Sequence, residues 1–189
     1  MRYKNLRWVR NRAVYAAVAA IIALAVGAAP AVGTAVNNLW GGNAAASTQT
    51  AEQGLQQATV KRVIDGDTIL VEVSGEEQRV RLIGIDTPES VHPDESKNTQ
   101  EGKDASAHTK SLLPAGTTVW LEADAEDQDK YGRSLRYVWL EAPSDTSSQS
   151  EAEAKMLNAQ LVADGWAEPL TIKPNTKWEA LFASLANGR

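Results

Sequence analysis

A chain of 189 residues with 43% hydrophobic side chains can bury one ordinary core and leaves little room for a second domain. It has no cysteine, which excludes disulfides, zinc-thiolate sites and thiol nucleophiles. The formal charge is −5, but five of the 19 basic residues precede Ala13 without an acid among them, so the remainder carries about −10.

Arg2, Lys4, Arg7, Arg10 and Arg12 lead into an almost unbroken Ala/Val/Ile/Leu run from Ala13 to Ala29. This run predicts a hydrophobic helix that serves as an export signal or a membrane anchor. It is short for a bilayer span, although a tilted segment reaching Val36 would be long enough, and Ala29-Pro30-Ala31 and Ala44-Ala45-Ala46 both have the small-x-small form of a cleavage site. Both outcomes stay open. In either, the basic flank keeps the N-terminus inside and the remainder outside, so a secreted or cell-surface location is expected, with membrane contact through residues 13–36. A buried soluble helix would need a polar face, which the run lacks. Residues 37–57, rich in Asn, Gln, Ser, Thr and Gly, read as a flexible linker. The expected division is a signal or anchor at 1–36, a linker at 37–57 and a folded domain at 58–189.

From Thr59 the pattern changes to strands. Thr59 to Ile64 and Ile69 to Val73 are rich in β-branched residues on either side of the Asp65-Gly66-Asp67 turn, and Gln78 to Ile85 follows the turn at Ser74-Gly75-Glu76-Glu77. Glu101 to Leu113 predicts a helix stopped by Pro114, and Thr117 to Glu122 and Leu135 to Leu140 read as extended. Ala154, Leu157 and Leu161 form a helical stripe ending at Gly165. The last helix has a predicted capping box in Thr176 and Glu179, with Trp178, Leu181, Phe182 and Leu185 at i, i+3, i+4 and i+7. Five strands with about three helices predict an α+β domain built on an OB-fold-like five-stranded barrel, whose open face accepts single strands.

Three stretches carry chemistry: IDGDT at 64–68, RLIGIDTPE at 81–89 and DKYGR at 129–133. Asp67 and Asp86 suit a hard, oxygen-seeking ion such as Ca²⁺. Arg81 and Arg133 offer planar forks that hold two phosphate oxygens at once and keep their charge at any working pH. Glu89 is left as the candidate base. Together these can hydrolyse a phosphodiester, which needs a bridging cation, fixed positive charge and a base for water. Alone, Asp65-Gly66-Asp67 is an ordinary hairpin turn, and Arg79 and Arg81 the solvent face of a strand. The acidic run Asp124 to Asp129 fails as a calcium loop, because Tyr131 and Val138 fall where ligands are required, and reads as a solvated loop. His92 and His108 are too few and too far apart for a zinc site. Trp120, Trp139, Trp166 and Trp178 sit in apolar patterns and are expected in the core.

These motifs, with His92-Pro93, EGKDASAHTK at 101–110, KMLNAQLVADG at 155–165 and Lys173-Pro174-Asn175, occur in an order that resembles the staphylococcal nuclease, or thermonuclease, family from about Ala58 to Asn175. The resemblance implies the same barrel, with Ca²⁺ held by Asp67, Asp86 and the carbonyl of Thr87. It implies Arg81 and Arg133 on the phosphate, Glu89 on the attacking water, Asp65 beside the metal, and Lys130 and Tyr131 near a nucleotide phosphate. The implied reaction is in-line attack of water with departure of the 5′ oxygen, on single-stranded or denatured DNA or on RNA, by a monomer. The acidic balance predicts modest affinity unless Ca²⁺ and a cluster of Arg79, Arg81, Lys130, Arg133 and Arg136 offset it.

Three departures stand against the family pattern. Leu170, Thr171 and Ile172 occupy the place of tyrosines that pack around the nucleotide, the chain ends early, and an acidic insertion runs from Glu141 to about Glu153, expected as a surface loop. Two competing readings remain: a non-catalytic nucleic-acid-binding or scaffold barrel, which needs neither Glu89 nor a metal pair, and a Ca²⁺-binding surface module, for which Arg81 and Arg133 are surplus.

Overall fold

The computed structural model describes residues 54–188. The expected signal or anchor and nearly all of the linker lie outside the described residues. Among the described residues no helix is long and apolar enough to cross a membrane.

The chain opens with a meander. β1 (Leu55–Asp65), β2 (Thr68–Val73) and β3 (Glu76–Leu82) pair antiparallel in sequence order. Alternation turns Ala58, Val60, Val63, Ile69, Val71, Val73, Val80 and Leu82 inward, where all are buried. Register shifts between Val60 and Arg62 and between Val63 and Asp65 bend β1, so its first half pairs with β5 (Thr118–Glu122) and its second half with β2. β6 (Ser134–Trp139) joins β5 antiparallel and β3 parallel, closing the order β1-β2-β3-β6-β5 into a barrel. The OB-fold-like α+β expectation therefore holds for the described residues.

The strand expected to run from Gln78 to Ile85 stops early. Gly84 turns it with φ +79, and β4 (Ile85–Asp86) leaves to pair with β7 (Glu168–Pro169). A side chain at Gly84 would be strained at that φ and would place Cβ 2.6 Å from the Phe182 ring, which packs there.

Among the described residues four α-helices pack around the barrel, where about three were expected. α1 (Gln100–Leu112) is capped by the Thr99 side chain on the Gly102 amide. The stripe predicted as one helix is two, α2 (Gln149–Lys155) and α3 (Leu157–Ala163), broken at Met156. The break is tertiary in origin: Met156 bridges to Trp139, and the Lys155 carbonyl accepts the Leu140 amide at 2.8 Å. The insertion at 141–153 is only partly a loop, because its end forms α2, capped by Ser148 and tied by Glu151 to Ser144. α4 (Glu179–Asn187) lacks the predicted capping box, since Thr176 accepts the Glu179 amide through its carbonyl and the helix has no side-chain cap. Asn175 bonds to both backbone groups of Glu126, and the Lys177 amide bonds to Asp124; these contacts hold the approach to α4 in place of a local cap.

A single core joins barrel and helices. Trp139 and Trp178 are buried in it, whereas Trp120 and Trp166 only pack against its edge. Asn158 lies fully buried in α3, accepting the Val138 amide and donating to the Ile83 carbonyl, each at 2.9 Å. One side chain thus satisfies two backbone groups that would otherwise be orphaned at the barrel wall.

Candidate active site

The first cluster forms where the β1–β2 turn meets the segment after β4. Asp67 is buried, and its Oδ2 accepts both the amide and the hydroxyl of Thr87 at 3.2 Å. Gly66 makes this approach possible: a Cβ there would lie 2.6 Å from Thr87 Oγ1. Arg81 projects from β3 between the two acids, its Nη2 lying 3.1 Å from Asp67 and 3.0 Å from Asp86. Its Nη1 donates to the carbonyls of Leu82 and Ile85 at 2.7 and 2.9 Å, which fixes the guanidinium plane. Asp86 is the open side of the pair, with 58% of its side chain exposed.

Asp65 faces the same segment. It accepts the amide and the hydroxyl of Ser90 and the amide of Gly66. Glu89 is exposed, with Asp65 acting on its carboxyl. Partial burial, then the charge and hydrogen bond of Asp65 and the charge of Asp67, raise the Glu89 carboxyl above its ordinary value, with His92 opposing. Burial also raises Asp86; Arg81 works against this, and Asp67 and Asp65 add to it. Four carboxyls in one place hold more negative charge than Arg81 alone relieves.

That donor set fits a hard divalent cation. Asp67 Oδ2 and Asp86 Oδ1 already converge on one positive centre, and oxygen donors are what Ca²⁺ takes. Among the described residues no group of three or more His, Cys, Asp or Glu side chains is arranged to hold a metal ion together. Two carboxylates and the Thr87 carbonyl would therefore leave most positions to water.

The second cluster is the turn before β6. Asp129 organises it: its Oδ1 accepts the amides of Tyr131 and Arg133 at 2.9 and 3.0 Å, and its Oδ2 accepts Arg133 Nε at 2.6 Å. Burial pushes the Asp129 carboxyl up, but the bonds from Arg133 and Tyr131 outweigh it and hold the group below its ordinary range. With Nε anchored, the Nη groups of Arg133 have no ion pair among the described residues. Tyr131 is 72% exposed, with Lys130 Nζ 5.0 Å and Arg133 Cζ 5.5 Å from its ring centre.

The two clusters are neighbours through the sheet. Ser134 pairs with Val80 and Leu135 with Arg81 in the parallel ladder, so Arg133 enters β6 beside the stretch that carries Arg81. Arg136 does not join them. It is buried and held by Asp127 at 2.7 Å, which removes it from the expected cationic cluster. The acidic run Asp124 to Asp129 is likewise no mere solvated loop, since Asp124 accepts the Tyr137 hydroxyl, Asp127 pairs Arg136 and Asp129 sets Arg133.

Several residues that shape the site had no catalytic signal in sequence. Thr109 of α1 donates to the Gly66 carbonyl at 2.9 Å, and Gly102 of α1 abuts the Glu89 carbonyl so closely that a Cβ would lie 2.1 Å from it. One helix thus braces both the β1–β2 turn and the segment that carries Glu89. The hint in sequence was a glycine inside a helical pattern, which marks close backbone approach.

The described residues thus form a five-stranded barrel that presents paired carboxylates, two arginine forks and an exposed carboxylate. The family described as Staphylococcal nuclease homologue matches residues 79–187, and the chain belongs to that family. It is 44% identical over 123 residues to the thermonuclease of Staphylococcus intermedius and 40% identical over 124 residues to that of Staphylococcus hyicus. It is 35% identical over 129 residues to endonuclease YncB of Bacillus subtilis (strain 168). These alignments take in 65%, 66% and 67% of this chain, and they span 65% of each staphylococcal relative and 54% of the Bacillus one.

Proposed function

We propose that the chain is a calcium-dependent, exported nuclease that hydrolyses phosphodiester bonds of DNA or RNA, releasing the 5′ oxygen and leaving 3′-phosphate ends. The observation that carries this reading is a carboxylate pair drawn to one point around Arg81 of β3, with an Arg133 fork whose outer nitrogens are open at the start of the neighbouring strand β6. The thermonuclease and endonuclease names of the relatives support it. The Ala13 to Ala29 run behind its basic flank supports export.

In this reading Asp67, Asp86 and the Thr87 carbonyl hold Ca²⁺, which would supply Lewis-acid polarisation of a phosphate oxygen. Arg81 and Arg133 bind the remaining phosphate oxygens from two directions and neutralise the charge that grows in the transition state. Glu89 takes a proton from the attacking water. Its proton affinity is raised above that of an ordinary glutamate, which is the direction a base needs. Asp65 orients Glu89, and Lys130 and Tyr131 hold a flanking nucleotide. The partner is a single strand, which a barrel face of this kind accepts without unwinding a duplex.

The test is incubation of the full chain with heat-denatured DNA and with RNA, in Ca²⁺ or in chelator, followed by end-group analysis. Calcium-dependent cleavage leaving 3′-phosphates is the expected result. Folded protein that binds single strands without cutting them in either condition overturns the enzymatic reading.

A further inference from the structure

We propose that Arg79 and the polar groove beside it form a subsite for the phosphate next to the scissile one, with the nucleotide that carries it; this rests on the nuclease reading above. Arg79 and Arg81 lie two residues apart on β3, so the pleat turns both to the same side, ~7 Å apart along the strand. That step is close to the spacing of successive phosphates along an extended single strand. Arg81 is committed to Asp67 and Asp86, and Arg136 to Asp127. Arg79 is exposed, and among the described residues no carboxylate pairs with it.

The groove supplies room for the rest of the nucleotide. A space of about 550 Å³ lies between the outer half of β3 and the segment leading into β6, lined among others by Gln78, Arg79, Gln128, Gly132 and Ser134. Its volume is in the range of small-molecule sites. Gly132 and Ser134 flank Arg133 in sequence, so the groove borders the turn that carries the arginine assigned to the scissile phosphate. Gln128, in the segment before β6, can donate and accept, which suits the edge of a base or the sugar hydroxyls better than stacking on a ring. Glu76, Glu77 and Asp127 also line the groove, and Asp127 is neutralised by Arg136, so the remaining acids disfavour a second phosphate there.

The experiment compares the full chain with R79Q and R79K, using a labelled single-stranded hexanucleotide and a dinucleotide, by fluorescence anisotropy in chelator and by kcat/KM in Ca²⁺ across a salt series. R79Q is expected to weaken the hexanucleotide several-fold more than the dinucleotide, and to reduce the slope of log affinity against log salt by about 0.7, with R79K restoring the slope. Equal penalties on both substrates, or an unchanged salt slope, overturn the subsite. Anisotropy needs no turnover, so length-dependent binding loss in a chain that never cleaves would sink the nuclease reading and leave the subsite standing.

Discussion

At the scale of single residues, charge is the governing quantity. Glu89 shares space with Asp65 and Asp67, and its folded proton affinity is raised above the ordinary 4.5. A carboxyl of this kind binds its proton more tightly in the native state than in the unfolded chain. Native stability therefore falls as pH rises from about 4.5 through the folded value. E89Q should cut hydrolysis by ~10²-fold or more at pH 7 while the melting temperature holds or rises, and any gain should vanish below the unfolded value. Paired activity and melting curves across pH check this; a variant that keeps full rate removes Glu89 from the mechanism. R81K and R133K test the forks. Lysine keeps the charge but has no planar pair of donors, so each should lose hydrolysis by orders of magnitude with circular dichroism unchanged.

At the scale of elements, α1 does more than cover the barrel. G102A would press a methyl group against the Glu89 carbonyl and force the helix outward, costing about 1–3 kcal/mol in urea unfolding and shifting the segment that carries Glu89. Activity should fall with it, whereas an alanine at exposed Lys103 should change neither. Asn158 offers a contrast, because N158A leaves the Val138 amide and the Ile83 carbonyl buried and unpaired, with an expected loss of roughly 2–5 kcal/mol. His108 stacks on Trp166 with centroids 4.9 Å apart, and its Nε2 is buried without a hydrogen bond. Burial lowers its proton affinity below the ordinary 6.5, against the pull of Asp164 at 3.8 Å. Here the unfolded chain binds the proton more tightly, so stability should decline as pH falls below about 6.5, and H108F should flatten that part of the melting-temperature profile.

For the whole molecule, metal and substrate act against an acidic background. Two carboxylates and a carbonyl are a sparse ligand set, which places the expected calcium affinity toward the 10⁻⁴–10⁻³ M range of weak sites. Saturating Ca²⁺ at about 100 times the dissociation constant should add ~2.7 kcal/mol to stability, visible as a calorimetric shift that D67A and D86A abolish. Superposable melting curves in Ca²⁺ and chelator would remove the metal from the account. The loss of Arg136 to Asp127 leaves fewer free cations than composition suggests, and this makes the remaining arginines dominate association.

The chain's local patterns determined the barrel and the identity of its reactive groups. β-branched alternation with Gly-bearing turns dictates strands, and carboxylates and arginines at those turns announce their chemistry wherever they fold. What sequence could not settle was how such groups constrain one another. Asp129 reads as one acid among several until the turn closes its amides around it, and Arg136 reads as a free cation until Asp127 meets it. Helix continuity at Met156, and the cap predicted for α4, were likewise decided by contacts from distant strands and loops. Local propensity is worth tenths of a kcal/mol per residue, whereas a buried backbone group left unpaired costs ~1–3 kcal/mol, so tertiary partners prevail wherever the two conflict.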